Sequence, residues 1–452
     1  MSSPATSRSL KLIEDVRSGS GPAAGEFSRE VERLRAADGI QAAFNYLLRA
    51  EAALGLRTPA LAIYDHAFHL IGGAQKYGLT LASALRDFFD ITIIANKDIR
   101  LEDFRRWYNL DLSGCATKVV RIPYYEDKGL SFLDPALVQA TDENPFHRVS
   151  RESGNYDFFV NNSMNEMVYP LSNVSVLVCH FPERPPKTYF YADRYTSVVY
   201  NSRYTASWIE KLWRFTPHRH IYPPVDLEGA APPGAKKKLI LSAARFEPEG
   251  TKRQREMIEA FLRLDRLHPD IIKDWKFVLV GGSEPRNRYL DQLEGLVRGA
   301  PRRNVELRVN IPAAELRALY AEASLFWHMC GIFNDHPSEV EHFGMTTVEA
   351  MENRAVPVVY AGGGLTEIVE HAVDGFLVRT TGELLGYSMR LIRDPGLVET
   401  LGIAAQAKAQ NFSRAKFEER VRTFFSGWLK EYCLQPEQGA SFNPRGSGSG
   451  PE

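Results

Sequence analysis

The chain has 452 residues, 44% hydrophobic and 25% charged, and its Lys+Arg (55) and Asp+Glu (56) nearly cancel to a formal net charge of -1. That length predicts two or three domains, and the charge balance argues against a protein that blankets nucleic acid with positive charge. No run of 18 apolar residues predicts a transmembrane helix, and the widely spaced Cys115, Cys179, Cys330 and Cys433 form no C-x-x-C pair of the kind found in redox or zinc motifs.

Residues 1–26 read as a polar, flexible leader without the apolar core of a secretory signal, so a cytoplasmic location is expected. From Phe27 to Leu56 apolar residues recur at helical spacing (Val31, Leu34, Ile40, Phe44, Leu47, Leu48), which predicts an N-terminal helical extension packed on the first domain. From Ala60 the pattern turns to strand, glycine turn and helix. LAIYDHAF is the first strand, Gly72-Gly73 interrupts it, and a helix runs from Ala74 to Arg86. ITIIAN, TKVVRI, DFFVNN, VSVLVCH and SVVYNS follow as short apolar runs, the signature of strands buried on both faces of a parallel sheet. A Pro- and Gly-rich stretch, placed at 226–237, reads as an interdomain linker. A second βα series follows: KLILSAAR, WKFVLVGG, VELRVNI, ASLFWHM and VPVVYAGGG, each with a helix after it, then amphipathic helices over 382–430.

The predicted architecture is therefore α/β, with domains at 57–225 and 238–415, a helix at 416–433 crossing back to the first domain, and a disordered tail at 434–452. Two doubly wound domains would place a cleft between the carboxyl ends of their sheets, where ligands of open α/β sheets bind. The tail's G-x-G-x-G follows no strand and is no dinucleotide fingerprint.

The most informative segment is Glu341-His-Phe-Gly-Met-Thr-Thr-Val-Glu349. Its carboxylates lie eight residues apart, the second inside a predicted helix and the first just before it. Eight helical residues rise about 12 Å, comparable to the reach from a ribose to a hexose across a diphosphate. Ionised carboxylates accept paired hydrogen bonds from sugar hydroxyls, and a helix N-terminus at Gly344, Met345 and Thr346 offers N–H groups to an anion. An ordinary helix with a surface Glu has the same spacing, so the weight comes from context: a buried strand precedes the segment, and a glycine loop, Gly362 to Gly364, follows.

Arg245 falls at the end of that domain's first strand and Lys252 at the start of its first helix, where two cations suit a diphosphate leaving group. Arg253 competes with Lys252 for the role. In the first domain, Gly72 and Gly73 permit close approach by a ligand, although a tight turn explains them equally. His180 ends a buried strand and is placed to hydrogen-bond a sugar; His66 and His69 rank lower. Trp327 to Cys330 reads as core and its edge; His328, Cys330 and His336 lack a fourth metal ligand at credible spacing. No D-x-D, G-x-x-x-x-G-K-[ST], G-x-S-x-G or H-E-x-x-H occurs.

With these residues in place, the stretch from about Ala60 to about Phe425 resembles the retaining glycosyltransferases of GT4 type, which have the GT-B fold. IGGAQKYGLTLASAL looks like the family's first glycine loop, ARFEPEGTKRQREMIEAF like its Arg/Lys phosphate element, and EHFGMTTVEAM with DGFLV downstream like its E-x7-E signature. VLVCHFP, VVYNSRYTASWI and IYPPVDL further resemble mannosyltransferases of lipid-linked oligosaccharide assembly. The resemblance implies that Glu349 binds the donor ribose and Glu341 the transferred hexose. It implies that Arg245 and Lys252 neutralise the departing diphosphate, that Gly73 lies near it, and that His180 touches the sugar. It implies metal-independent hexose transfer from a UDP- or GDP-linked sugar, which is a substrate, with no cofactor. A glycan, a lipid-linked acceptor or a small molecule would receive the hexose, and peripheral membrane contact is conceivable through FRRWY, residues 104–108. An epimerase or phosphorylase of the same fold, or a silent sugar-nucleotide-binding subunit, are the alternatives. Donor base, acceptor and oligomeric state have no readable motif.

Overall fold

The structure is a computed structural model that describes residues 22–53, 55–122, 138, 143–163, 166–183, 188–227, 236–283, 285, 287–334 and 336–434. Most of the expected leader, the tail from 435 onward and residues 228–235 of the expected linker lie outside the described residues. The chain divides into two compact units, one of Met1–Tyr200, Trp208–Ile221 and Glu418–Glu452, the other of Asn201–Ser207 and Tyr222–Phe417.

The first unit opens with α1 (Pro22–Ala37) and α2 (Ile40–Ala53). Then come β1 (Ala60–Tyr64), α3 (Gly73–Leu85), β2 (Asp90–Ala95), α4 (Leu101–Tyr108), β3 (Ala116–Val119), α5 (His147–Ser153), β4 (Phe158–Asn161) and β5 (Val174–Cys179). β6 (Ser197–Tyr200) and the short β7 (Arg219–His220) complete a seven-stranded parallel sheet ordered β3-β2-β1-β4-β5-β6-β7, and α6 (Arg203–Trp213) between them begins in the stretch that belongs to the second unit. Every residue of β4 and β5 is buried, as continuous apolar runs require of central strands.

In the second unit the elements are β8 (Lys237–Ala243), α7 (Gln254–Leu267), α8 (Pro269–Ile272), β9 (Lys276–Gly281), α9 (Arg288–Arg298), β10 (Val305–Val309), α10 (Ala313–Glu322) and β11 (Ala323–His328). They continue with α11 (Met345–Glu352), β12 (Val356–Tyr360), α12 (Leu365–Ile368), β13 (Phe376–Val378), α13 (Thr381–Arg393) and α14 (Pro395–Ala409). The parallel sheet runs β10-β9-β8-β11-β12-β13. Its pleat sends alternate side chains to two cores. Ile240, Phe277, Leu279, Leu325, Trp327 and Val356 join Phe261 of α7 and Leu384 of α13 on one face. Leu241, Val278, Phe326 and Val359 join Val348 of α11 and Ala405 of α14 on the other. Each such fully buried aliphatic side chain contributes roughly 1.5–3 kcal/mol.

The last helix, α15 (Arg414–Leu434), has its C-terminal part within the first unit. There Tyr432 donates its hydroxyl to Asp157 at 2.6 Å and accepts from Asn173 at 3.0 Å, while Arg49 of α2 donates to the Tyr432 carbonyl at 3.0 Å. Asp157 also accepts from both terminal nitrogens of Arg57 (2.6 and 2.8 Å) and from the Ala60 amide (2.7 Å). One buried carboxylate thus ties Arg57, the start of β1 and the C-terminal part of α15 to the start of β4. Among the described residues no helix is long and apolar enough to cross a membrane. In the FRRWY helix, α4, Phe104 and Tyr108 are buried and Trp107 packs edge-on against both rings, so the turn is anchored by core packing.

Candidate active site

In the second sheet strand order reverses between β8 and β11, and the loops leaving the carboxyl ends of such adjacent strands build the ligand site of an open α/β sheet. Here those loops bring together a lysine, a carboxylate and a histidine. Lys252 Nζ donates to Glu341 Oε2 at 3.0 Å, and His328 Nε2 meets the same oxygen at 3.1 Å. Cys330 Sγ lies 3.9 Å from the ammonium. About one-fifth of each charged side chain is exposed, Lys252 at 20% and Glu341 at 19%, whereas His328 is buried at 2%.

The local chain path explains the convergence. His328 is the last residue of β11 and is paired to Val359 of β12, which fixes its backbone. Lys252 sits in the turn between β8 and α7, where Arg253 caps the helix with φ of 58°. A left-handed conformation costs a non-glycine residue roughly 1–2 kcal/mol, and such strain gathers at functional turns. The same turn settles which cation serves the carboxylate: Lys252 reaches Glu341, while Arg253 pairs with Glu256 at 3.2 Å.

Burial alone would raise the Glu341 carboxyl, but the Lys252 ammonium and the His328 hydrogen bond override it and hold Glu341 well below the ordinary carboxylate range. Burial likewise opposes the Lys252 charge, and Glu341, with smaller help from Glu247, more than restores it, so the ammonium is held above its ordinary value. The pair is ionised throughout the neutral range. His342, next along the chain, is pushed by burial down to about 4 and is therefore neutral there.

His328, Cys330 and Glu341 present ligand atoms within 4.8 Å of one another. Glu341 rather than His336 completes this trio; His336 is exposed and bonds Ser338 at 2.5 Å. Burial drives the Cys330 thiol up to about 12, and the Glu341 charge is matched by Lys252.

Arg245 follows β8, but its guanidinium is 71% exposed and pairs with Glu247 at 2.9 Å. Thr251 also donates to Glu247. Arg245 and Lys252 thus flank one acidic residue that the sequence pattern did not single out.

Gly344 caps α11 with φ of 107°, and a Cβ there would fall 2.7 Å from the Leu365 side chain. It turns the chain from Glu341 into α11, whose first turn holds Met345 and Thr346, both partly exposed. Glu349, one turn further on, accepts from the Tyr320 hydroxyl at 2.8 Å. The glycine loop Gly362–Gly364 supports the Glu341 segment. Gly364 donates its amide to the Glu341 carbonyl at 2.9 Å, and a Cβ on it would lie 2.2 Å from the His342 carbonyl oxygen. The loop packs on the backbone that carries Glu341, and only glycine allows that approach. Glu367 accepts from the Arg203 and Tyr204 amides (3.0 and 2.9 Å) and from the Tyr222 hydroxyl (3.0 Å), so it caps α6.

In the first unit the expected residues stand at the corresponding place, the carboxyl ends of β1, β4 and β5. Gly72 caps α3 in extended conformation, and the Tyr108 hydroxyl engages both its amide (2.8 Å) and its carbonyl (3.1 Å), so that amide is already occupied. Gly73 is the first residue of α3. His180 meets Asn162 Oδ1 at 3.4 Å and Tyr77 edge-on at 5.3 Å, and Asn162 donates to Asp65 at 2.7 Å. His66 lies 3.8 Å from Asp65, and His69 is held below the ordinary imidazole value by burial and then by Lys97.

The residue that sequence reasoning set aside is His328. Trp327 is core, fully buried and bonded to Ser388 at 3.0 Å, but its neighbour points to the other face and serves Glu341. The signal was available: a histidine at the carboxyl end of a buried strand, the same rule that singled out His180.

Residues 229–408 match the model of the family described as glycosyl transferases group 1. The chain is 25% identical over 260 residues to the alpha-1,3/1,6-mannosyltransferase ALG2 of Homo sapiens (51% of this chain, 58% of that one). It is 27% identical over 217 residues to the alpha-1,3/1,6-mannosyltransferase alg2 of Schizosaccharomyces pombe (41% and 40%). It is 29% identical over 240 residues to a GDP-Man:Man(3)GlcNAc(2)-PP-Dol alpha-1,2-mannosyltransferase of Xenopus tropicalis (49% and 46%). The chain thus spans between two-fifths and three-fifths of the length of these relatives. Among solved structures, Anabaena HepE in complex with UDP superposes with a TM-score of 0.63 at 18% identity, covering 81% of this chain and 100% of that one. TarM superposes with a TM-score of 0.60 at 11% identity, covering 83% and 99%. The chain has the fold of the GT-B glycosyltransferases, and in residues 229–408 it resembles the glycosyl transferases group 1, with mannosyltransferases of lipid-linked oligosaccharide assembly among its relatives.

Proposed function

We propose that the protein transfers a hexose from a nucleoside diphosphate sugar to an acceptor hydroxyl, with retention at the anomeric carbon and without a bound metal or cofactor. The observation that carries this reading is the Lys252–Glu341–His328 cluster at the switch point of the second sheet, followed within one turn of chain by the helix bearing Glu349.

As the bond to the anomeric carbon breaks, negative charge grows on the diphosphate. An ammonium has three N–H donors; Glu341 and, weakly, Cys330 take two of Lys252's, which leaves one for a phosphate oxygen. Arg245, exposed beside Glu247, adds a second cation. Fixed positive groups that meet charge where it develops are among the largest contributions an enzyme makes, and here they take the part a divalent cation plays elsewhere. Glu341, held ionised, accepts hydroxyls of the transferred hexose; Glu349 accepts the ribose. The acceptor oxygen forms the new bond to the anomeric carbon, its proton passes to the departing phosphate, and the nucleoside diphosphate leaves.

The named relatives are mannosyltransferases, one of them using GDP-mannose, which favours a GDP-linked mannosyl donor. The test is a panel of UDP-, GDP- and ADP-linked sugars, with nucleoside diphosphate release followed beside Glu341→Ala. Release from GDP-mannose that the variant abolishes is expected. A thermal shift on adding a donor, with no release on any acceptor, would refute the transferase reading and leave a silent binding subunit; no shift and no release would refute both.

A further inference from the structure

Glu341 is held from two sides, and the proposed reaction needs one of the two holders elsewhere. On that reading Lys252 turns toward the diphosphate as the sugar departs. The other holder is His328, whose backbone is paired to Val359 of β12 and whose side chain is 2% exposed. Its Nε2 lies 3.1 Å from Glu341 Oε2. An ionised carboxylate can only accept, so Nε2 carries the hydrogen. The opposite nitrogen, Nδ1, is buried and makes no hydrogen bond among the described residues. An unsatisfied buried polar atom costs roughly 1–3 kcal/mol. A strand-end position chosen for packing alone would hold an apolar residue, as Trp327 and Met329 on either side of it do. His328 spends that cost on one polar bond, and the bond goes to Glu341.

We propose that His328 is the positioning residue of this site. It keeps one oxygen of Glu341 fixed when Lys252 is drawn to the leaving diphosphate, so that the carboxylate's second oxygen stays aimed at the hexose hydroxyls. His328 does not itself touch the substrate; it acts through Glu341.

Two variants and one spectrum test this. His328→Leu removes the N–H, whereas His328→Gln keeps one at the end of a flexible side chain. With GDP-mannose as donor, His328→Leu is expected to lower kcat by about 10- to 100-fold, the size of one hydrogen bond to a charged group, with KM changed less than about threefold. His328→Gln is expected to recover most of the loss. Wild-type kcat in His328→Leu, or a His328→Gln variant that is folded but no better than His328→Leu, would overturn the inference. The second arm needs no activity. In protein labelled with ¹⁵N-histidine, the signal missing from His328→Gln identifies His328; it should show hydrogen on Nε2 and should move in Glu341→Ala. Hydrogen on Nδ1 alone, or a signal indifferent to Glu341→Ala, would overturn the inference even if no donor is turned over. Lack of turnover with the expected spectrum would instead count against the transferase reading alone.

Discussion

Replacing Lys252 by methionine keeps most of the side-chain volume and removes the charge that holds Glu341. The pair is 3.0 Å apart with each side chain about one-fifth exposed. Breaking a fully buried pair by removing one partner costs about 3–5 kcal/mol; this exposure and the surviving His328 bond reduce the expectation to roughly 2–3 kcal/mol. For a domain of about this size each kcal/mol is worth about 2–4 °C, so Lys252→Met should melt roughly 4–12 °C lower at pH 7.5. Glu341→Gln, which strands the ammonium, should fall similarly. The double variant removes both charges and should lose clearly less than the sum, because residues in direct contact couple by about 0.5–3 kcal/mol. The pH dependence changes sign as well. In the wild type Glu341 is held below its unfolded value, so its contribution is complete above that value and is lost only as pH falls through the folded one. Without Lys252, burial dominates and lifts the carboxyl, so Lys252→Met should lose stability as pH rises from 5 to 8. Differential scanning calorimetry of the four proteins at both pH values decides it. Strictly additive melting shifts, or a Lys252→Met deficit that does not grow with pH, would refute the reasoning.

Gly364→Ala puts a methyl 2.2 Å from the His342 carbonyl oxygen and should displace the backbone that carries Glu341, lowering both the melting temperature and donor turnover. Gly295→Ala meets nothing within 4 Å on the exposed face of α9 and should stabilise by up to about 1 kcal/mol in the same melting assay. Glu166, in the first unit, is fully enclosed, and burial raises its carboxyl to about 8. An acid raised in the fold weakens the fold as pH climbs from the unfolded value toward the folded one, by about 1.4 kcal/mol for each pH unit between the two. Glu166→Gln should therefore gain on the wild type between pH 5 and pH 8 in thermal melts, and a constant offset would count against it. Arg245→Ala leaves Lys252 in place and should slow nucleoside diphosphate release less than Lys252→Met does, measured with the same donor.

The architecture was legible because buried parallel strands write themselves as short apolar runs; all eleven predicted runs became strands. The residue types of the Arg/Lys element and the two-glutamate segment were legible because charged side chains at a strand end and before a helix start stand out in the local pattern. β7 escaped because two residues, Arg219 and His220, carry no periodicity; they form the sheet's edge, paired to β6. What the sequence could not reveal was partnership. Lys252 and Glu341 are 89 positions apart, and nothing along the chain says whether Lys252 or Arg253 turns toward the carboxylate; the left-handed turn at Arg253 decides it. Nor does the sequence say that Gly364 packs against the His342 backbone. His328 read as core because its neighbours are core, and successive residues of a strand face opposite sides. By itself the sequence determined which residues form strands and helices and which chemistries are present, since those depend on local pattern and side-chain type. The tertiary structure alone decided which charges meet, because a pairing between distant loops is set by strand order and the turns at strand ends, where small backbone angles move a side chain by its whole length.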